Sequence, residues 1–200
     1  LLAATTTKRL AAKELLFRKG DPGNQLYGVL SGRLKVVSTG RDGRELVFGV
    51  MAPGDVIGEI ALMDSNPRSA TVVALEASEL LVLHRRDLLP FLERHPKVAL
   101  HFAAVLAARV RHLSDQAEDA IFLPLPARMA KTVLALAQRY AAGAPGAQPI
   151  EIRLSQQDLA DMVGTTREAA LKAAKSVAAG TPGKRAARMR SKWALVSVGS

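Results

Sequence analysis

The first half of the chain is cut by glycine-centred turns at intervals too short for any long helix. The breaks are Gly20-Asp21-Pro22-Gly23, Ser31-Gly32, Gly40-Arg41-Asp42-Gly43 and Pro53-Gly54-Asp55. Glycine supplies the positive φ that tight turns need, and proline presets theirs. Between the breaks lie apolar runs of strand length: Leu26–Leu30, Leu34–Val37, Leu46–Val50, Ala70–Ala74 and Leu80–Leu83. From about Glu14 to His84 this pattern predicts a jelly-roll-like or barrel β domain.

The second half reads as helical. A short helix is expected over Arg86–Arg94, ending near His95-Pro96, and a long one from Lys97 to about Phe122. In the long helix Phe102, Leu106, Val110, Leu113, Ala117 and Ala120 recur at alternating steps of four and three. Most of the other positions are polar. So narrow a stripe suits pairing with a second copy, as a parallel homodimer, although packing against the β domain would also use it. Leu123-Pro124-Leu125-Pro126 then makes a hinge. A helix is expected from Ala127 to about Ala141, followed by a loop over Ala142–Gln148.

Charge is unevenly placed. Of the net +10, the stretch Thr166–Ser200 contributes eight Lys or Arg against one acid, Glu168. A basic end on a nearly balanced body suggests a polyanion partner, with a solvated basic tail as the plainer alternative. The chain has no cysteine, which excludes disulfides, thiolate zinc sites and cysteine-held iron–sulfur clusters. No apolar run reaches the roughly 18 residues of a membrane span, and no signal-peptide pattern opens the chain. A cytoplasmic protein with no membrane partner is expected. The chain opens on Leu1-Leu2, as expected of a gene product lacking its first residues.

Two constellations carry chemistry. The first is Gly58-Glu59-Ile60-Ala61-Leu62 followed by Pro67-Arg68-Ser69-Ala70-Thr71. Gly58, Ile60 and Ala61 can open a short helix with free amides for an anionic oxygen. Arg68 can add a bidentate phosphate contact and Ser69 a hydroxyl. Glu59 can accept from a ribose hydroxyl, so the set suits a small phosphorylated sugar. Taken singly, Glu59 and Arg68 read first as a structural ion pair.

The second constellation runs from Leu154 to Ala170. Ser155 with Asp158, and Thr165 with Glu168, have the spacing of helix-capping pairs or close to it. Gly164 sits between, where a sharp turn needs positive φ, and Ala160 is small enough for a close helix crossing. Leu159, Val163 and Ala170 would face one another across it. This is a helix-turn-helix, whose second helix enters the major groove. Arg167 can donate to guanine O6 and N7, Glu168 can accept from cytosine N4, and Ser155, Thr165 and Thr166 can position phosphates.

Together these residues resemble the cyclic-AMP receptor protein and fumarate–nitrate regulator (Crp/Fnr) family, over nearly the whole chain to about Lys175. The resemblance implies that Glu59 binds a ribose 2′-hydroxyl, and that Arg68, Ser69 and amides near Ile60 and Ala61 hold a cyclic phosphate. It also implies that Arg109 pairs with Glu59, and that Lys172 replaces an arginine contacting base or phosphate. Where cyclic-AMP binders of this family present two hydroxyls to the base, this chain has Leu113 and Ser114; only Ser114 keeps a contact. The implied effector is a cyclic nucleotide, cAMP or another. His84, His95, His101 and His112 show no haem-binding spacing.

After Lys175 the resemblance fails. Ser176–Ser200 lacks the register of the family's closing hairpin wing and reads as an altered or shifted frame, although Trp193–Val198 is apolar enough for one strand.

The reading is an α+β regulator in three parts: an effector-binding β-roll over 1–96, a dimerisation helix and hinge over 97–123, and a helix-turn-helix domain with an atypical tail over 124–200. Its expected partners are double-stranded DNA, a small effector, a second copy and RNA polymerase. No nucleophile–base or metal-ligand set points to an enzyme. The alternative is a ligand-binding, dimerising protein whose altered C-terminus impairs DNA binding.

Overall fold

A computed structural model describes residues 4–141 and 154–180. The chain divides into two compact units, residues 1–38 with 49–117, and residues 39–48 with 118–200.

The strands are β1 (Thr6–Leu10), β2 (Leu15–Phe17), β3 (Gln25–Ser31), β4 (Leu34–Thr39), β5 (Glu45–Met51), β6 (Val56–Ile57), β7 (Thr71–Ala74) and β8 (Ser78–His84). They form two four-stranded sheets, ordered β1-β8-β3-β6 and β2-β7-β4-β5. Successive side chains of a strand point to opposite faces, so in β7 Val72 and Ala74 are buried while Thr71 and Val73 are half-buried. Register follows: Val29 lies opposite Leu80, and Val36 opposite Val72. Leu10, Val29 and Leu80 from one sheet and Leu16, Leu34 and Val72 from the other share one core, which makes a two-layered roll.

Three strands escape the sequence pattern. β1 reads TTKRL and buries only Leu10 of its residues. It is an edge strand held to β8 by its backbone ladder, from Thr6 opposite Val82 to Leu10 opposite Ser78. Only Leu10 reaches the core, so the strand carries no apolar alternation. β2 and β6 have three and two residues, too few for any periodicity.

Between β6 and β7 lies α1 (Glu59–Asp64), and after β8 come α2 (Arg85–Arg94) and α3 (Pro96–Phe122). A second core, of Leu26, Leu62, Leu83, Leu88 and Leu92, receives Ala99 and Phe102 from the start of α3. Farther along, no residue of α3 is buried; Val110 is 63% exposed and Leu113 46%. Among the described residues, then, most of the stripe is left exposed.

In the second unit, α3 ends at Phe122 and α4 (Leu125–Ala141) begins two residues before the expected Ala127. Pro126 falls in the first turn of α4, where a missing N–H costs no helical hydrogen bond. The corner is tied by the Arg128 guanidinium, which donates to Ala120 O at 2.9 Å, and by a Lys131–Asp119 ion pair at 2.6 Å. The helices α5 (Gln156–Met162) and α6 (Arg167–Gly180) pack with α4 around Met129, Ala160, Val163, Ala170, Ala173 and Ala174. The expected loop over Ala142–Gln148 and the strand over Trp193–Val198 lie outside the described residues. Among the described residues no helix is long and apolar enough to cross a membrane, and no cluster of three or more metal-ligating side chains occurs.

Candidate effector cradle and nucleic-acid interface

Gly58 opens the cradle. It caps α1 with φ +88°, and a Cβ there would fall 2.3 Å from Arg68 Nη1, so any L side chain is both strained and obstructed. The next residue, Glu59, is 2% exposed. A carboxylate this buried needs a counter-charge, and Arg109 of α3 supplies it through Nη1. Arg109 is held in turn: Nη2 donates to Val56 O and lies 3.9 Å from Met51 Sδ.

Arg68 is 4% exposed. Its Nη1 donates to Gly58 O at 3.0 Å and its Nη2 to Gln25 O at 2.8 Å. The guanidinium carbon lies 4.2 Å from the centre of the Phe17 ring and 5.6 Å from that of Tyr27, a cation–π seat. Burial lowers the pKa of Arg68, with Tyr27 and Glu59 opposing. Burial likewise raises that of Tyr27, against the pull of Arg68. The Tyr27 hydroxyl donates to Gln25 Oε1 at 2.6 Å. Arg68 Nε is buried and has no acceptor. A buried orphan N–H costs about 1–3 kcal/mol, so this donor fits an incoming anionic oxygen.

The structure thus brings Gly58, Glu59, Arg68 and Arg109 together. It replaces the Glu59–Arg68 ion pair, open on sequence grounds, with Glu59–Arg109, because Arg68 is committed to two carbonyls. Ala61 is buried on the inner side of α1, while Ile60 and Ser69 are exposed. Ser114 is exposed and its hydroxyl donates to Val110 O, one turn back on its own helix. Phe17, Gln25 and Tyr27 were missed as supports of Arg68. They lie 41 or more positions away in sequence, and the Gln25 contact uses a backbone carbonyl that leaves no residue-type signal.

In the second unit Ser155 caps α5 as expected. Its hydroxyl accepts from Asp158 N at 3.0 Å, and Asp158 Oδ2 accepts from Ser155 N at 2.9 Å and from Ser155 Oγ at 2.7 Å. Both donors of Ser155, proposed for phosphate, therefore serve the cap. Gly164 has φ +65°, and Thr165 N donates to Ala160 O at 3.0 Å to close the helix end. The cap of α6 is Thr166, not Thr165: Thr166 Oγ1 accepts from Ala169 N. The turn takes up Thr165, whose amide is spent on α5.

Ala160 is fully buried, and the facing Ala170, Ala173 and Ala174 let α6 approach closely. With those alanines inward, Arg167, Glu168, Lys172 and Lys175 are left exposed. Leu159 is buried but outside that cluster. Arg167 Nε donates to Gln156 Oε1 at 3.1 Å, a partner that the sequence pattern did not single out.

Residues 7–95 match the model of the cyclic nucleotide-binding domain, and residues 127–178 that of the Crp-like helix-turn-helix domain. The chain is 33% identical over 158 residues to the CRP-like cAMP-activated global transcriptional regulator of Mycobacterium tuberculosis, covering 79% of this chain and 70% of that one. It is 35% identical to the cyclic AMP receptor protein of Thermus thermophilus, over 76% of this chain and 68% of that one. Among solved structures it is similar to CLP of Xanthomonas campestris, described as a c-di-GMP responsive global regulator, with TM-score 0.75, 27% identity and coverage of 92% and 93%. The chain belongs to the Crp/Fnr family and is a Crp-like DNA-binding transcription regulator with a cyclic nucleotide-binding domain.

Proposed function

We propose that a cyclic nucleotide bound at Gly58, Glu59, Ile60, Ala61, Arg68 and Ser69 controls DNA binding by the helix-turn-helix. The observation that carries this is the buried Arg68 fork with an unsatisfied Nε–H, close to the buried Glu59 carboxylate. The arginine would hold the phosphate and the glutamate a ribose hydroxyl, with Arg109 fixing that carboxylate through their ion pair. cAMP is the first candidate, supported by the cAMP-activated relatives. Leu113 offers no hydroxyl to a base, so the selectivity for adenine rests on Ser114 from the long helix.

The exposed stripe on α3 supports a homodimer, which would set two recognition helices about 34 Å apart on neighbouring half-sites. Arg167 and Glu168 would read bases, while Thr165, Thr166 and Lys172 position phosphates. The functional division is 1–96, 97–123 and 124–200, with the ligand acting through the long helix and its hinge. The protein would work in the cytoplasm alongside RNA polymerase, with no catalytic activity of its own.

Thermal-shift titration with cAMP, cGMP, c-di-GMP and haem tests the effector. A shift with a cyclic nucleotide that vanishes in Glu59→Gln supports the assignment; no shift with any of them refutes it. For DNA, Arg167→Ala should cost about 1–3 kcal/mol on preferred sequences and relax one base pair per half-site. Neutralising Lys184, Arg185, Arg188 and Arg190 should instead weaken binding to all sequences alike and flatten the salt dependence. If Arg167→Ala weakens every sequence equally, the basic tail accounts for the binding.

A further inference from the structure

We infer that Gln156 is a positioning residue that aims Arg167 at its base; this rests on the reading of Arg167 as a base-contacting side chain. Arginine presents five N–H donors in a planar fork, and guanine O6 and N7 take two of them side by side. An exposed arginine at a helix start has several rotamers and two usable edges: end-on through both Nη groups, or side-on through Nε and one Nη. Gln156 removes that choice. Its Oε1 accepts from Arg167 Nε at 3.1 Å, which occupies the side edge, so that the Nη end is the edge left for a base.

The anchor is itself fixed. Gln156 is the first residue of α5, directly after the Ser155 cap, and it is half-buried. Eleven positions separate it from Arg167, bridged by the turn that Gly164 and the Thr165–Ala160 hydrogen bond hold closed. Neutrality matters as well. A carboxylate here would grip the guanidinium harder, but it would cancel the charge and repel the phosphates nearby. An amide oxygen orients the fork and leaves its charge for DNA.

The test uses the 200-residue chain with cAMP and a randomised duplex pool, scoring base preference position by position. Arg167→Ala first identifies the base pair that Arg167 reads. Gln156→Met, with near-equal volume and no acceptor, should lower discrimination at that base pair about fivefold, the scale of one net hydrogen bond, and leave the other positions alone. Gln156→Glu should keep the discrimination, weaken binding to every sequence, and reduce the salt slope by about one. In the Arg167→Ala background Gln156→Met should have no further effect. Unchanged discrimination in Gln156→Met, where Arg167→Ala abolishes it, overturns the positioning role alone. No position-specific loss in Arg167→Ala overturns the base-reading assignment, and the proposal with it. Equal melting temperatures of Gln156→Met and the parent exclude a folding defect; a uniform loss across all positions would mark a structural role and refute positioning.

Discussion

Replacing Arg68 by leucine removes more than a proposed ligand contact. The guanidinium donates to Gly58 O and Gln25 O, which joins the start of α1 to the start of β3, and it rests on Phe17. Hydrogen bonds to a charged group contribute about 1.5–3 kcal/mol each, so the pair is worth about 3–6 kcal/mol. Leucine would recover about 1–2 kcal/mol by packing against Phe17 and Tyr27, and about 1 kcal/mol more because no charge is then buried. Arg68→Leu should therefore destabilise the folded chain by about 2 kcal/mol with no ligand present, the middle of a range of about 0–4 kcal/mol. Urea denaturation followed by circular dichroism measures this as a lower midpoint at unchanged slope. Affinity is then titrated below the unfolding range, where a further loss of about ten- to hundredfold is expected for the cyclic nucleotide. An unchanged midpoint would show that the two carbonyls find other donors and would refute the clamp. Equal nucleotide affinity in wild type and mutant would refute the phosphate contact.

Other consequences follow from single features. Ser155→Ala strips the cap from α5 and should cost about 1 kcal/mol, read as a lower melting temperature, with Ser155→Asp largely restoring it. Leu106→Glu with Val110→Glu should give a monomer by light scattering, since two charges per helix would enter the shared stripe; a mutant that stays dimeric moves the interface elsewhere. Burial raises the Tyr27 pKa above its ordinary 10.0, so the folded state holds that proton more tightly than the unfolded one. The stabilisation is full below about pH 10 and is lost as pH rises through the folded value. Tyr27→Phe should flatten this alkaline decline in urea midpoints, and an identical decline in both proteins would show that Tyr27 does not cause it.

What the sequence determined by itself is whatever is local in the chain. Gly164 and the Ser155–Asp158 spacing are read within a few residues, so the helix-turn-helix is legible in the sequence alone. The short apolar runs Ala70–Ala74 and Leu80–Leu83, of strand length and set in a chain broken by turns, announced β7 and β8. The 58–69 segment was legible as a candidate site, since its residue types suited to a phosphate are consecutive or nearly so. Arg109 was placed opposite Glu59 only through the family resemblance.

Only the tertiary structure decided how those residues are held. β1 exists because β8 offers its edge, which no pattern in TTKRL reports. Whether Arg68 faces Glu59 or two backbone carbonyls depends on β3 and β6 lying side by side, and carbonyls are common to every residue type. The choice of Thr166 over Thr165 as a cap turned on one hydrogen bond, Thr165 N to Ala160 O. Gln156 met Arg167 only once the turn between their helices had closed. Spacing along a chain encodes helix faces and strand faces, whereas contacts between elements depend on how those faces stack, and that is settled by packing.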